Sequence, residues 1–274
     1  MHAVGIVAAA GSGLRLGADR PKALVPLAGR PLVCWAVDTL RDAGVADVVV
    51  AVPSQELGAF ATVLPMDVRL VVGGSTRTAS VRAALAALTT PTRPAPDAVL
   101  VHDAARPLTP PDVVTRVLGA LAAGAAAVVP VLPVVDTTVR VDGDGVLTDT
   151  LPRAELRRVQ TPQGFARAAL ADAYAALPVD AELTDDAAVV RAAGIAVATV
   201  VGDERAAKVT VAHDLALAEL QLAARRGARS CRGSASGWTS TRSRPAGSAG
   251  WPDWSGPGST GAPATPTGTS SPTR

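Results

Sequence analysis

The glycine-rich segment at residues 8–22, AAAGSGLRLGADRPK, carries the residue types best suited to chemistry. Gly11 and Gly13 follow a mostly apolar run, and Arg15 and Lys22 come shortly after them. Because glycine has no side chain, such a loop leaves backbone N–H groups free to bind phosphate oxygens. Two cations beside it can neutralise the charge that builds up when a phosphorus–oxygen bond breaks. The segment therefore predicts a nucleotide triphosphate site, and a strand-to-helix turn with two surface charges is the alternative.

The spacing of this segment excludes two well-known phosphate loops. A dinucleotide fingerprint needs glycines at its first, third and sixth positions. Counted from Gly11, the sixth position is Leu16, and Gly17 comes one residue too late. The Walker loop needs Gly-Lys followed by Ser or Thr, whereas Lys22 is followed by Ala23. The sequence therefore supports neither hydride transfer nor P-loop ATPase chemistry.

Short β-rich runs alternate with helical patterns along the first four-fifths of the chain. The predicted strands are residues 3–9, 47–52, 68–72, 97–102 and 126–131, and the predicted helices are residues 31–43, 75–88, 110–123, 166–176, 184–193 and 212–226. Alternation with short connections predicts an α/β fold with a mainly parallel, Rossmann-like sheet and helices on both faces. In such folds, ligands bind at the carboxyl ends of the strands.

Three of the candidate motifs fall at predicted strand ends. The glycine loop follows the first strand, Gly73 and Gly74 follow the third, and Asp103 follows the fourth. We therefore expect these groups to meet at one edge of the sheet. His102, a lone histidine at a strand end, is interpreted as a hydrogen-bonded packing residue.

Residues 132–160 interrupt the alternation. β-branched runs flank the sequence DGDG at residues 142–145, a pattern typical of a β-hairpin. The segment predicts a projecting β-arm, and a surface hairpin with no role is the alternative.

Composition places limits on the class of protein. Hydrophobic residues make up 48% of the 274 residues, which is enough to fill a core. Cys34 and Cys231 are too few for a disulfide framework or a zinc site, so we expect a reducing, cytoplasmic environment. The first residues have no basic region typical of a signal peptide, and no charge-free apolar run reaches about 18 residues. We therefore expect no membrane partner.

Charge is unevenly distributed along the chain. The net charge is +2, but residues 230–274 hold four arginines and one aspartate, a net of +3, which leaves 2 − 3 = −1 for residues 1–229. A nearly neutral body argues against a nucleic-acid surface.

Several motifs together resemble one enzyme family. The Gly-x-Gly-x-Arg loop with its later Pro-Lys resembles nucleotidyltransferases of the nucleotide-diphospho-sugar transferase type. Five further stretches match a single family within them: GGSTRTASV at 73–81, VHDAARP at 101–107, DTT at 136–138, TPQGF at 161–165 and KVT at 208–210. Over about residues 3–222 the chain resembles the 2-C-methyl-D-erythritol 4-phosphate cytidylyltransferases.

The resemblance implies a reaction. CMP would pass from CTP to 2-C-methyl-D-erythritol 4-phosphate, with release of pyrophosphate, in isoprenoid precursor synthesis with Mg²⁺ or another divalent cation as cofactor. A ribitol-5-phosphate cytidylyltransferase and an inactive nucleotide-binding scaffold protein are the alternatives. The resemblance also implies a homodimer in which the arm brings residues to the neighbouring site.

The resemblance assigns roles to individual residues. Arg15 and Lys22 would stabilise the transition state, and Arg153 and Lys208 would position the acceptor phosphate. The implied CTP-binding residues are Ala9, Ala10, Gly11, Gly13, Gly74 and Ser80, and the implied acceptor-binding residues are Asp103, Arg106, Thr137, Thr161 and Thr184. Asp103 is also the candidate metal ligand.

Simpler interpretations exist for some of these residues. Ser80 has the position of an ordinary helix residue without a ligand. Thr184 opens TDDAAVV and would serve as a helix N-cap. Arg153 shares PRAELRR with Arg157 and Arg158, and a solvated basic cluster would have the same sequence.

The last 45 residues differ in character from the rest. Residues 230–274 contain no Leu, Ile, Val, Met or Phe, and 31 of the 45 are Ser, Thr, Gly or Pro. This composition predicts a disordered tail. If the codons are read in a shifted frame, with third bases chosen freely, residues 233–243 can give RVGIGLDVHAF and residues 264–274 can give GHSDGDVVAHA. Both strings resemble the metal-binding start of 2-C-methyl-D-erythritol 2,4-cyclodiphosphate synthase, which predicts a frameshifted two-enzyme fusion.

Overall fold

An eight-stranded mixed sheet organises the part of the chain that the computed structural model describes, residues 1–11, 20–88 and 94–233. The strands are β1 (Ala3–Ala8), β2 (Pro26–Leu27), β3 (Arg30–Pro31), β4 (Asp47–Val52), β5 (Arg69–Val72), β6 (Ala98–Asp103), β7 (Ala127–Pro133), β8 (Thr138–Val141), β9 (Leu147–Leu151), β10 (Arg157–Val159), β11 (Gln163–Ala166) and β12 (Ala198–Val201). Seven strands lie side by side in the order β10-β7-β11-β6-β1-β4-β5, and the eighth, β12, pairs in parallel with β7. The hairpins β2–β3 and β8–β9 stand outside it.

Helices cover both faces of this sheet, as predicted. They are α1 (Leu32–Asp42), α2 (Leu57–Val63), α3 (Arg77–Leu88), α4 (Pro111–Ala122), α5 (Arg167–Ala176), α6 (Asp186–Ala192) and α7 (Ala212–Gly233). Two separate apolar clusters lie on the two sides of the sheet, one around α1 and α4 and the other around α3, α5 and α6. Six of these helices confirm sequence predictions, and the short α2 was not predicted.

The centre of the sheet is parallel and buried. β1 lies between β4 and β6, and pairs in parallel with both. Val4, Ile6 and Val7 are almost completely inaccessible, because helices cover both faces and every strand position is apolar. The shared direction brings the carboxyl ends of β1 and β6 to the same edge.

β11 runs antiparallel between β6 and β7 and was not predicted. It follows a cis peptide bond between Thr161 and Pro162. A side chain at Gly164 would place its Cβ 2.3 Å from Cγ1 of Val117, so glycine allows α4 to approach the strand closely.

The predicted arm is a two-stranded hairpin, β8–β9. Its turn forms because Asp142 Oδ1 accepts hydrogen bonds from the N–H groups of Asp144 and Val146, while Gly145 has a φ of +82°. Val141 and Leu147 on this hairpin are largely exposed. Its apolar side chains therefore have little cover from their own chain.

The last described helix extends further than predicted. α7 continues to Gly233 rather than to residue 226, because its Ala-, Leu- and Arg-rich sequence favours a helix. Residues 1–230 belong to one compact unit. The predicted tail beyond residue 233, together with Gly13 and Arg15, lies outside the described residues. Among the described helices, none is long and apolar enough to cross a membrane.

Candidate active site

A cavity of about 570 Å³ opens at the carboxyl ends of β1 and β6. Its walls come from the end of β1 and the residues after it, the segment 74–77 at the start of α3, the segment 103–105, and Lys208. The position agrees with the rule that ligands bind at strand ends in open α/β sheets.

Most of the predicted nucleotide-binding residues line this cavity. They are Ala9, Ala10, Gly11, Gly74 and Ser80, and Lys22, which is predicted to stabilise the transition state, lines the cavity as well. Gly13 of the nucleotide-binding set and Arg15, the other predicted transition-state residue, lie outside the described residues. The described nucleotide-binding residues are all small, so backbone groups form much of this wall.

Glycine is required at the segment before α3. A Cβ on Gly74 would lie 2.4 Å from the Cβ of Ala79, and a Cβ on Gly73 would lie 2.8 Å from Ser80 Oγ. Both distances are well below van der Waals contact. The loop therefore packs against the first turn of α3 as only glycine permits.

Ser80 explains why this loop holds its shape. Its side chain is buried, and its hydroxyl lies 2.8 Å from the carbonyl oxygen of Thr76 and 3.2 Å from that of Gly74. The helix-residue interpretation of Ser80 is therefore compatible with its position on the wall, since the same hydroxyl stabilises the loop that lines the cavity.

Asp103 lies at the end of the neighbouring strand β6, between two cations. Its Oδ2 is 2.8 Å from Lys208 Nζ, and its Oδ1 is 3.2 Å from Arg77 Nε. Burial alone would raise the pKa of Asp103, but Arg77 and Lys208 outweigh it and hold that pKa below its usual range. Asp103 is therefore a charged group at neutral pH.

The backbone of Asp103 is held from behind. Thr161 Oγ1 accepts a hydrogen bond from the Asp103 N–H at 3.1 Å and lies 2.9 Å from His102 Nδ1. Burial lowers the pKa of His102 to about 4, so the imidazole is neutral and its Nδ1 can accept a hydrogen bond from the Thr161 hydroxyl. His102 is fully buried, as expected of a packing residue. Thr161 supports Asp103 and does not line the cavity.

Arg77 was not recognised from the sequence. Its Nη2 donates to Asp186 Oδ2 at 2.6 Å, and the Tyr174 hydroxyl donates to Asp186 Oδ1 at 2.7 Å. Burial opposes the charge of Arg77, but Asp186 and Asp103 outweigh it and raise its pKa. A signal was present, since Arg77 lies within the GGSTRTASV motif.

Arg106 has protein partners of its own. Its Nη1 donates to the carbonyl oxygen of Ala206 at 2.6 Å and its Nη2 to that of Val159 at 3.2 Å. These bonds fix the segment before Lys208, and the N–H of Val209 also donates to the carbonyl of Ala105. Arg106 is not among the residues that line the cavity, and its predicted contact with the acceptor stays a prediction.

Thr184 is not the helix N-cap. That place belongs to Asp185, whose side chain accepts a hydrogen bond from the N–H of Ala188. A carboxylate caps more favourably here because Gln163 also donates to it, at 2.8 Å. Thr184 is exposed and does not line the cavity.

Thr137 and Arg153 lie at the base of the arm, apart from the cavity lining. Thr137 is exposed. Arg153 Nη1 donates to the carbonyl oxygen of Val135 at 2.8 Å. The chain does not bring these two predicted acceptor residues to its own cavity.

The candidate metal ligand, Asp103, already has cationic partners. Its two carboxylate oxygens face nitrogens of Arg77 and Lys208, so Asp103 would hold a metal ion only by giving up one of these partners. Mg²⁺ is usually held by one or two carboxylates together with substrate phosphates. The described residues contain no cluster of three or more His, Cys, Asp or Glu side chains that could hold a metal, and the requirement for the ion stays a prediction.

These features define a class of enzyme. A small-residue wall suited to a nucleotide and a Lys–Asp pair meet at the strand ends of a mainly parallel sheet, as in nucleotidyltransferases. The family model described as "IspD: 2-C-methyl-D-erythritol 4-phosphate cytidylyltransferase" matches residues 3–224. The chain belongs to this family.

Relatives and solved structures agree with that assignment. The chain is 53% identical to 2-C-methyl-D-erythritol 4-phosphate cytidylyltransferase of Nocardia farcinica over 224 residues, which is 80% of this chain and 93% of the relative. It is 52% identical to the enzyme of the same name from Saccharopolyspora erythraea, covering 81% of this chain and all of the relative. The crystal structure of the Thermus thermophilus enzyme is similar, with 38% identity, a TM-score of 0.67, and 81% and 98% of the two chains covered.

A bifunctional protein is also among the similar structures. The bifunctional IspDF from Campylobacter jejuni has a TM-score of 0.67 and 26% identity, and the match covers 79% of this chain but 54% of that one.

Proposed function

We propose that this chain transfers CMP from CTP to 2-C-methyl-D-erythritol 4-phosphate and releases pyrophosphate. Membership of the family supports the overall reaction. The observation that carries the proposal is the cavity itself, which brings together the end of β1, Lys22 and the Asp103–Lys208 pair. One cavity thus offers a nucleotide wall and groups for a second, anionic substrate.

The reaction is an exchange at the α-phosphorus of CTP. An oxygen of the acceptor phosphate attacks it, and a new phosphorus–oxygen bond forms. The bond to the oxygen that bridges the α- and β-phosphates breaks, and pyrophosphate leaves with that electron pair. Because both reactants are anions, cancelling charge and aligning them are the main tasks of the protein. Lys22 would cancel charge at the α-phosphate, and Arg15 would share this role.

Lys208 would hold the attacking phosphate. Its side chain is 44% exposed although its Nζ pairs with Asp103, so it remains accessible from the cavity. An ammonium group has three N–H donors, and it can therefore bind a phosphate oxygen while it keeps its bond to Asp103. That bond fixes where the lysine points.

We also propose a homodimer formed through the arm. The support is the exposure of Val141, Val146 and Leu147, which are 54%, 60% and 58% accessible. A second copy of the chain would cover these side chains. The same contact would carry Thr137 and Arg153 to the neighbouring cavity, where the Arg153 guanidinium could bind the acceptor phosphate through paired N–H donors.

Two further expectations stay predictions. The requirement for Mg²⁺ is checked by measuring turnover against free Mg²⁺ concentration. A cytoplasmic location is checked by fractionating the producing cells.

Steady-state kinetics with two acceptors tests the proposal. We expect pyrophosphate release to require CTP and 2-C-methyl-D-erythritol 4-phosphate, with kcat/KM for this acceptor far above that for ribitol 5-phosphate. A preference for ribitol 5-phosphate would assign the chain to the alternative enzyme. No release with either acceptor would favour a silent scaffold protein.

A further inference from the structure

Arg77 connects two carboxylates that belong to different elements. Its Nε donates to Oδ1 of Asp103, the last residue of β6, at 3.2 Å. Its Nη2 donates to Oδ2 of Asp186, the first residue of α6, at 2.6 Å. A single guanidinium therefore links the cavity wall to the interior of the protein.

The interior end of this link is fixed. Asp186 is fully buried, and its second oxygen accepts a hydrogen bond from the Tyr174 hydroxyl at 2.7 Å. A buried carboxylate with both oxygens engaged has little freedom to move. Asp186 and Tyr174 therefore determine where the Arg77 side chain lies.

The cavity end of the link sets the direction of Asp103. Arg77 takes Oδ1, which leaves Oδ2 to Lys208 Nζ at 2.8 Å. The last torsion of an aspartate side chain has a broad energy profile. Without the bond to Arg77, the Asp103 carboxylate could rotate, and the Lys208 ammonium group that pairs with it would shift as well.

We propose that Arg77 is a positioning residue that fixes the orientation of the Asp103 carboxylate and, through it, the Nζ of Lys208. The inference rests on the proposed function, because its readout is the transfer reaction. Arg77 borders the cavity, yet its two bonded nitrogens point to protein carboxylates. A misplacement of about 1 Å in a reacting group can lower a rate on the order of 100-fold.

The variant Arg77→Lys tests this role without depriving the buried Asp186 of its cationic partner. A lysine ammonium can pair with the buried Asp186, but its single nitrogen does not reproduce the two separately placed donors, Nε and Nη2, with which Arg77 reaches both carboxylates. We expect a folded protein whose kcat falls by about 10- to 100-fold, while its KM for CTP stays within about threefold of wild type.

Arg82→Lys is the matched control. Arg82 lies on the same helix, and its Nη2 donates to the carbonyl oxygens of Leu177 and Pro178 at 3.0 and 3.1 Å. Its guanidinium also lies 6.0 Å from the centre of the Tyr174 ring, where a lysine keeps a cation, and it bonds to neither Asp103 nor Asp186. We expect the kcat of Arg82→Lys to stay within about twofold of wild type, because this substitution should change the stability of the protein and not the position of Asp103.

A second comparison isolates the path of the effect. If Arg77 acts through Asp103, then Arg77→Lys made in an Asp103→Asn background should lower kcat no further, because the two changes share one interaction. Should Arg77→Lys fail to fold, the pair Arg77→Met with Asp186→Asn removes both buried charges and is measured in the same way.

Three results would overturn the inference. They are a kcat for Arg77→Lys within about threefold of wild type, an equal loss in Arg82→Lys, and fully additive losses in the Asp103→Asn background. An inactive wild type would instead refute the proposed function. Failure of the proposed function can therefore be distinguished from failure of the role proposed for Arg77.

Discussion

Acid should destabilise this protein through His102, a fully buried histidine next to Asp103 at the end of β6. Burial lowers its pKa in the folded state to about 4, whereas an unfolded chain has a histidine pKa of about 6.5. The unfolded state therefore binds a proton at a pH where the folded state does not. Stability should fall as the pH decreases from about 6.5 toward about 4.

The size of the effect follows from the two pKa values. At pH 5 nearly every unfolded molecule carries the proton on this histidine, whereas about one folded molecule in ten does. The free energy of unfolding is therefore about 2 kcal/mol lower than it would be if the imidazole were neutral in both states. At pH 7 the corresponding penalty is about 0.2 kcal/mol. His102 alone should thus remove about 2 kcal/mol of stability between these two values of pH.

Urea unfolding of wild type and His102→Gln at both pH values measures this contribution. Glutamine does not titrate, so the difference between the two pH responses isolates the imidazole from the carboxylates. We expect the wild type to lose about 2 kcal/mol more than the variant on acidification. Equal losses in the two proteins would refute the reasoning and show that His102 accepts a proton in the fold.

Four further predictions concern the cavity, the arm and, in two cases, the tail. Gly74→Ala should weaken CTP binding by about tenfold or more in calorimetry, because the new Cβ would lie 2.4 Å from Ala79 Cβ, whereas Gly119→Ala, with nothing within 4 Å, should bind normally. Mixing inactive Lys22→Ala and Arg153→Ala proteins in equal amounts should restore about a quarter of wild-type turnover if the arm serves the neighbouring subunit; no recovery after subunit exchange would exclude that arrangement. The codons of residues 264–274, read in the shifted frame, should spell GHSDGDVVAHA, and any other reading would end the frameshift hypothesis. Truncation after Gly233 should leave turnover unchanged.

Local patterns predicted most of the parallel half of the fold. The apolar runs that became β1, β4 and β6 are buried on both faces, so hydrophobicity alone marks them. β11 was missed because it has four residues, one of them Gly164, and forms only through pairing with β6 and β7. Such short strands depend on partners that are distant in the sequence, and a local hydrophobic pattern does not reveal those partners.

Part of the candidate site could likewise be predicted from local sequence, and part of it could not. The glycine segment and Lys22 could be predicted, because phosphate binding imposes residue types at close spacing. Arg77 could not be selected by spacing, since a single arginine at the start of a helix usually faces solvent. Its partner Asp186 lies 109 positions away along the chain, and only the fold brings the two together. The N-cap was assigned to Thr184 rather than Asp185 because both residue types cap helices well, and the tertiary bond from Gln163 favours the aspartate.

The identity of the product tests the central claim most directly. Phosphorus NMR of wild type incubated with CTP and 2-C-methyl-D-erythritol 4-phosphate should show pyrophosphate and a new diphosphate diester that joins CMP to the acceptor phosphate. Both signals should be absent when either substrate is omitted, and both should be strongly reduced in Lys208→Ala. Formation of free CMP without a diester would show hydrolysis instead of transfer and would contradict the account.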